Sequence, residues 1–162
     1  MSFGTGHHQT TQLMMRQALK IDMGGKSVLD VGCGTGILGI LAADLGAKSV
    51  LAIDIESWCV ENTQENAKRN RCNHILKALK GDVDIVSETY DLIFANINRN
   101  TLIRNIPHYA ELLKSQGILL LSGFYQTDLL EITQMCKSNG LIFQSNTKQD
   151  DWVCGKYVYS RL

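Results

Sequence analysis

The stretch that decides the fold is Val28-Leu-Asp-Val-Gly-Cys-Gly-Thr-Gly-Ile-Leu-Gly-Ile40, in which a short apolar run enters a glycine-rich turn. The apolar periodicity of residues 37–45 predicts a helix directly after the turn. Gly32 and Gly34 can adopt backbone angles closed to other residues, and without a Cβ they let a ligand approach the main chain. We therefore expect a strand, a glycine turn and a helix whose free N–H groups face a bound ligand.

A second predicted strand, Ser49–Ile53, ends in Asp54. An acid at the tip of the second strand, about 20 residues beyond the glycines, is the usual hydrogen-bond acceptor for the hydroxyls of a ribose. The two strands together predict a cofactor that contains a nucleoside, bound in a doubly wound α/β domain.

The spacing of the glycines leaves two kinds of nucleoside cofactor open. Gly34, Gly36 and Gly39 fit the dinucleotide pattern G-x-G-x-x-G. Asp30 precedes Gly32 by two residues, and a carboxylate beside the turn would repel a pyrophosphate. It suits S-adenosylmethionine, which carries an ammonium and a sulfonium and no phosphate. The run resembles the first motif of class I S-adenosylmethionine-dependent methyltransferases.

Composition narrows the class of protein. A chain of 162 residues is long enough for one domain with one sizeable core. Acidic and basic residues balance at 16 each, so we expect no direct nucleic-acid binding. The five cysteines lack C-x-x-C spacing, which predicts reduced thiols in a cytoplasmic protein and no metal site. No apolar run is long enough to suggest a membrane span, and no signal peptide is visible.

The N-terminal segment Phe3-Gly-Thr-Gly-His-His-Gln-Thr-Thr11 carries the most specific pattern in the chain. It resembles the signature loop of the ribosomal protein L11 methyltransferase (PrmA) family. The resemblance continues through the glycine motif, Asp54, Asn96-Ile97, Ser122-Gly123 and Asp151–Val153. It therefore covers almost the whole chain.

The resemblance implies S-adenosylmethionine as cofactor, and as reaction the methylation of amino groups of ribosomal protein L11, at lysines and the N-terminus. Thr11, Gly32, Asp54 and Asn96 match positions at which the family contacts its cofactor. Family members also carry an N-terminal domain that recruits the ribosomal protein. Since this chain begins within a few residues of the signature loop, we expect residues 1–162 to form a single catalytic domain without the recruiting domain.

Polar residues after two further predicted strands complete the candidate site. Asn96 follows the buried strand Tyr90–Ala95, where ligands bind in open α/β sheets. It is the candidate for positioning the amine that accepts the methyl group, and the alternative is a cap of the next helix. After the third strand, Asp82 or Asp84 is placed to accept a hydrogen bond from the adenine amino group, as acids do there in class I methyltransferases. A solvated turn is the alternative.

The remaining periodicity predicts a mostly parallel seven-stranded sheet that ends in an antiparallel hairpin, because the last two strands are joined by a very short link. We expect the first helix to be capped by Thr10, Pro107 to kink or restart its helix, and Ser122-Gly123 to turn the chain out of the sheet. Further helices are predicted over 56–71, 99–114 and 127–138, and further strands over 75–79, 118–121, 141–145 and 152–159.

Methyl transfer from a sulfonium releases a neutral thioether, so it needs alignment of the acceptor rather than a general acid. This fits a sequence without a visible catalytic triad or carboxylate pair, and we expect His8 to make a polar contact and not to act as a base. Three other functions stay open: a methyltransferase for a small-molecule or nucleic-acid amine, a cofactor-binding fragment that is inactive without its recognition domain, and an NAD-dependent oxidoreductase.

Overall fold

The computed structural model describes residues 8–161, which contain five helices and seven strands. The helices are α1 (His8–Ala18), α2 (Ile37–Asp44), α3 (Ser57–Arg69), α4 (Arg99–Leu112) and α5 (Leu129–Ser138). The strands are β1 (Ser27–Val31), β2 (Ser49–Asp54), β3 (Leu76–Lys80), β4 (Tyr90–Asn96), β5 (Leu113–Tyr125), β6 (Leu141–Gln149) and β7 (Trp152–Tyr159). Short 3₁₀ turns occupy Val83–Ile85 and Gln126–Asp128.

The seven strands form one sheet in the order β3-β2-β1-β4-β5-β7-β6. The first five strands pair in parallel, whereas β7 pairs antiparallel with both β5 and β6. The predicted fold class, a mostly parallel doubly wound sheet with an antiparallel hairpin at its end, is confirmed. The strand order reverses between β1 and β4, and the crevice at such a reversal is where open α/β sheets bind ligands.

Helices cover both faces of the sheet. Buried side chains of α1, α2 and α3 pack against one face, and those of α4 and α5 pack against the other. In β1, Val28 belongs to the first core and its neighbour Leu29 to the second, and both are fully buried. A strand buried on both faces is expected to be mostly apolar, and in β1 the buried exceptions are Ser27 and Asp30.

The structure contradicts a Thr10 cap of the first helix and a restart of the helix at Pro107, whereas a kink at Pro107 stays a prediction. Helix α1 begins at His8, so Thr10 lies inside the helix with a buried side chain and does not cap it. Helix α4 continues from Arg99 to Leu112 through Pro107 without restarting. The core contacts of Ile106 and Tyr109, on either side of the proline, stabilise this continuous helix.

Strand β5 is longer than the four residues that its sequence predicts. Tyr90 pairs with Leu113 and Leu92 with Ile118, so the strand bulges between these pairs, where Gln116 adopts a φ of 67°. Ser122-Gly123 also lies inside β5 and does not leave the sheet. The pairing with β7 shifts there, and Gly123 adopts a φ of 97°. A Cβ on Gly123 would lie 2.1 Å from the Ile97 carbonyl oxygen, so glycine lets β5 continue beside the residue that follows β4.

Candidate functional site

A cavity of about 360 Å³ lies at the carboxyl edge of the sheet. The register aligns Val31, Ile53 and Ala95, so the chain leaves β1, β2 and β4 at the same level. The cavity is therefore built from strand ends and from the first turns of α3 and α4. It is lined by Val31, Gly32, Asp54, Ile55, Glu56, Trp58, Cys59, Gly81, Asp82, Ile97, Asn98, Thr101 and Arg104.

Most backbone N–H groups of the glycine turn are already bonded within the protein. The N–H groups of Gly32 and Cys33 both donate to the Ile53 carbonyl, at 2.9 and 3.0 Å. The Gly34 N–H donates to Asp54 Oδ2 at 3.1 Å.

The same holds for the amides on the helix side of the turn. The Gly36 N–H donates to the Cys33 carbonyl at 2.8 Å, and the Gly39 N–H donates to Asp30 Oδ2 at 3.2 Å. The expectation that free N–H groups face a ligand is wrong for these five amides, because the Ile53 and Cys33 carbonyls and the Asp30 and Asp54 carboxylates accept from them. A pyrophosphate held by the turn would have to displace these bonds, which disfavours a dinucleotide.

Gly32 adopts a φ of 70° and lines the cavity beside the end of β4. A Cβ built on it would lie 2.4 Å from Ile97 Cγ2. Both the backbone angle and the close approach require glycine at this position. The turn is thus packed directly against the segment that follows β4.

Asp54 lies at the tip of β2, is 8% exposed and lines the cavity. Its Oδ2 accepts from the Gly34 N–H, and its Oδ1 accepts from the Glu56 N–H at 3.0 Å. Each carboxylate oxygen has a second acceptor site, so the side chain is held in place and can still accept from a ligand. Its predicted bond to a ribose stays a prediction.

Asp30 lies behind the cavity wall, beneath the first turn of α2, and is 2% exposed. Burial raises its pKa to about 7, the Gly39 amide opposes this rise, and the nearby charge of Asp54 adds to it. The Asp30 carboxylate therefore holds the first turn of α2 by accepting from the Gly39 N–H. Its predicted place opposite the ammonium group of a ligand stays a prediction.

Asp82 caps the 3₁₀ turn after β3 and lines the cavity. Its Oδ1 accepts from the Val83 N–H at 2.7 Å and from Asn105 Nδ2 at 3.4 Å. Asp84 is exposed and belongs to the first turn of that 3₁₀ segment. Of the two candidate acids, Asp82 lines the cavity and Asp84 does not.

Asn96 ends β4 with a side chain that is only 7% exposed. Its Nδ2 donates to the Oγ1 of the buried Thr11 at 3.5 Å, so the structure brings together two predicted site residues from distant parts of the chain. The Asn96 Oδ1 has no hydrogen-bond partner anywhere in residues 8–161. The alternative reading as a helix cap is wrong, because Asn98 caps α4 by accepting from the Thr101 N–H at 3.0 Å.

A buried acceptor without a partner costs about 1–3 kcal/mol of folding free energy. A ligand that donates to the Asn96 carbonyl oxygen would remove this cost, and the predicted role of Asn96 stays a prediction. Phe3–His7 and the His8 side chain lie outside the described residues, so the predictions for that part of the signature loop stay predictions.

A second groove adjoins the cavity and shares Asn98 with it. Tyr125 and Trp152 line this groove, with ring centroids 4.2 Å apart and ring planes 27° apart. Sequence reasoning missed both this groove and the apolar lining of the cavity by Ile55 and Trp58. The sequence does contain one indication of the apolar lining. Ile55 directly follows Asp54 at the end of β2, where a large apolar side chain is exposed to solvent unless a ligand covers it.

The charged residues of the cavity are mostly acidic. Asp54, Glu56 and Asp82 line it, with Arg104 as the cation among the lining residues. This balance favours a ligand that carries positive charge over a pyrophosphate. In the part of the chain from 8 to 161, no group of His, Cys, Asp and Glu side chains is arranged to hold a metal ion, and no helix there is long and apolar enough to cross a membrane.

Comparison with known proteins agrees with this geometry. The family model for "Ribosomal protein L11 methyltransferase (PrmA)" matches residues 1–158. The chain belongs to the PrmA family. A ribosomal protein L11 methyltransferase from Porphyromonas gingivalis is 46% identical over 160 residues, which are 98% of this chain and 55% of that protein. The chain spans about half the length of the curated relatives it matches. The predicted family resemblance is thereby confirmed.

Solved structures show the same fold. A ribosomal protein L11 methylase from Lactobacillus delbrueckii subsp. bulgaricus superimposes with a TM-score of 0.90 at 33% identity, over 95% of this chain and 80% of that chain. The magnesium protoporphyrin IX methyltransferase of Synechocystis PCC 6803, crystallised with bound SAM, gives a TM-score of 0.79 at 22% identity, over 96% of this chain and 81% of that chain. The PrmA-family chain thus has the architecture of class I methyltransferases.

Proposed function

We propose that the chain is the catalytic domain of an S-adenosylmethionine-dependent protein N-methyltransferase that acts on amino groups of ribosomal protein L11. The observation that carries the proposal is the buried, unpartnered Oδ1 of Asn96, which directly precedes the cavity-lining Ile97, in a chain that belongs to the PrmA family. The proposed acceptor, ribosomal protein L11, comes from the names of the relatives. The proposed reaction comes from the residues of the site.

The residues of the cavity fit S-adenosylmethionine. Its lining combines the apolar side chains of Ile55 and Trp58 with three carboxylates, which suits an adenosine that carries a sulfonium and an ammonium. The engaged amides of the glycine turn weigh against the NAD-dependent oxidoreductase. In this proposal the cofactor is held by Thr11, Gly32, Gly34, Asp54, Asp82 and Asn96.

Each of these residues has a separate task. Asp54 accepts from the ribose hydroxyls, and Asp82 accepts from the adenine amino group. Gly32 lets the cofactor lie against the main chain, and Gly34 fixes the Asp54 carboxylate through its N–H. Thr11 accepts from Asn96 Nδ2 and so leaves the carbonyl oxygen of that amide for the ligands.

The bound cofactor supplies an activated methyl group on a sulfonium. The acceptor amine must be neutral to attack, although a free lysine has a pKa near 10.4 and an α-amino group one of about 7.7–8.0. Burial in the site favours the neutral form. The Asn96 Oδ1 accepts one N–H of the amine and thereby directs its lone pair toward the methyl carbon. This is catalysis by orientation, with Asn96 as the residue that positions the acceptor.

Calorimetric titration tests the cofactor. We expect saturable binding of S-adenosylhomocysteine, no binding of NAD in a parallel titration, and weaker binding after Asp54→Ala. The loss of a hydrogen bond to a charged group corresponds to about 1.5–3 kcal/mol. Binding of NAD alone would contradict the proposal.

Transfer of labelled methyl groups from S-adenosylmethionine to ribosomal protein L11 tests the reaction. Asn96→Ala should lower kcat at saturating cofactor, whereas Asn146→Ala, which changes an exposed asparagine on β6, should leave kcat unchanged. Equal losses in both variants would reject a role for Asn96 in orientation.

The acceptor and the extent of the domain are tested with a longer protein. We propose that residues 1–162 form a single cofactor-binding domain, since all seven strands of the described residues belong to one sheet. The assay is run in parallel with the longer relative from Porphyromonas gingivalis. Cofactor binding without methylation, in contrast to the longer relative, would identify this chain as a fragment that needs a recognition domain. Methylation of a small-molecule or nucleic-acid amine instead would reassign the acceptor.

We also place this activity in the cytoplasm. The five cysteines are all buried free thiols, which suits a reducing compartment, and ribosomal proteins are substrates found there. Fractionation of cells that express a tagged chain tests this location.

A further inference from the structure

Helix α4 carries one buried amide on the side that faces the sheet. Asn105 is only 4% exposed and precedes Ile106, which is fully buried in the apolar core. A buried amide destabilises a protein unless its polar atoms are bonded. The Asn105 Nδ2 donates to Asp82 Oδ1 at 3.4 Å, so the polar group of α4 is directed at an acid of the cavity.

The two oxygens of Asp82 have different surroundings. Oδ1 accepts from both the Val83 N–H and Asn105 Nδ2. Oδ2 makes no hydrogen bond within the described part of the chain, although Asp82 lines the cavity. Two donors on one oxygen fix the plane of the carboxylate and leave the other oxygen for a donor in the cavity.

Without Asn105, one backbone bond would remain on Asp82. A single bond to Oδ1 lets the carboxylate rotate about its last torsion, which is broad for an sp³–sp² bond. The second donor, from a different element of the fold, restricts that rotation. Since α4 also contributes Thr101 and Arg104 to the cavity, Asn105 couples the position of Asp82 to a helix that lines the same cavity.

We propose that Asn105 is a positioning residue that makes the cavity select a purine with a 6-amino group. It holds Asp82 so that Oδ2 accepts from that amino group. The inference rests on the proposed cofactor, because it concerns how the adenine of that cofactor is recognised. It adds a specificity-determining residue on α4 that does not itself touch the ligand.

The test compares two ligands in the calorimeter: S-adenosylhomocysteine and its analogue with hydrogen in place of the 6-amino group. The wild-type chain should bind the analogue about tenfold more weakly or worse, which is the effect of losing one hydrogen bond to a charged group. Asn105→Leu and Asn105→Ala should each reduce this ratio by about fivefold, by weakening the binding of S-adenosylhomocysteine alone. Two variants are used because they perturb the fold differently: Asn105→Leu fills the space with an apolar side chain, whereas Asn105→Ala leaves that space empty.

Ile106→Val is the matched control, because it perturbs the same turn of α4 without removing a donor from Asp82. It should leave the ratio unchanged even if both affinities fall. An unchanged ratio in both Asn105 variants, or a wild-type chain that does not discriminate between the two ligands, would overturn the inference while leaving the proposed function intact. A wild-type chain that binds neither ligand would instead refute the proposed function.

Discussion

Gly32→Ala probes the contact between the glycine turn and the end of β4. At a φ of 70°, alanine adopts a left-handed conformation that costs about 1–2 kcal/mol. Its Cβ would also lie 2.4 Å from Ile97 Cγ2, and forcing an extra methyl group into a packed site costs about 1–3 kcal/mol. We therefore expect Gly32→Ala to lower the free energy of unfolding by about 2–5 kcal/mol.

Two variants of Ile97 separate the steric term from the backbone term. Ile97→Ala removes Cγ2, so in that background Gly32→Ala should cost only the backbone term, about 1–2 kcal/mol. Ile97→Val keeps Cγ2 and should give no relief. The coupling energy between positions 32 and 97 should thus be about 1–3 kcal/mol with Ile97→Ala and near zero with Ile97→Val.

Urea unfolding of the six proteins in these two cycles gives the coupling energies, and titration with S-adenosylhomocysteine shows whether the cavity survives. Gly32 lines the cavity, so Gly32→Ala should also weaken this binding in every background. If Ile97→Ala and Ile97→Val relieve the destabilisation equally, the close approach to Cγ2 is not its cause.

Three further predictions concern groups around the cavity. Asp30 binds its proton more tightly in the folded protein than in the unfolded chain, because burial raises its pKa from 3.8 to about 7, so the free energy of unfolding should fall between about pH 4 and 7. Asp30→Asn should flatten that dependence by up to about 1.4 kcal/mol per pH unit in urea unfolding. Thr63→Val should destabilise by about 1–3 kcal/mol in urea unfolding, because the Thr63 hydroxyl donates to the Gly34 carbonyl at 3.0 Å. Asn98→Ala should lower the melting temperature and cost about 1 kcal/mol, because Asn98 caps α4 through the Thr101 N–H.

Conservative replacements provide the controls for this group. Thr63→Ser and Asn98→Asp keep the hydroxyl and the capping oxygen, so they should retain most of the stability. An Asp30→Asn protein with an unchanged pH dependence would assign that dependence to another group. A Thr63→Ser protein as unstable as Thr63→Val would show that the lost methyl group matters more than the hydrogen bond.

The parts of the site that the sequence predicts depend on local pattern and chain direction. Gly32, Asp54 and Asn96 each follow a strand, and parallel strands bring their carboxyl ends to one edge. Their approximate neighbourhood therefore follows from the strand assignments alone. The antiparallel end of the sheet follows in the same way from the short link between β6 and β7.

The parts that the sequence does not predict depend on contacts between distant residues. The Gly34 N–H meets Asp54 and the Gly39 N–H meets Asp30, which no local rule distinguishes from donors that face a ligand. Strand β5 extends beyond its apolar run because β7 pairs with its far end, between Tyr125 and Trp152. The meeting of Thr11 with Asn96 spans 85 residues, and only family resemblance placed both in one site.

The hydrogen bonds inside the glycine turn have a consequence for the thermodynamics of ligand entry. A loop with most of its amides bonded in the free protein has little conformational freedom left to lose, so the entropy of association should be less unfavourable than for a loop that orders around its ligand. The amides of Gly32 and Cys33 should accordingly exchange with deuterium as slowly as those of the central strands, before any ligand is added. The turn then has the same conformation before and after a ligand binds, and the side chains around it determine which ligand is selected.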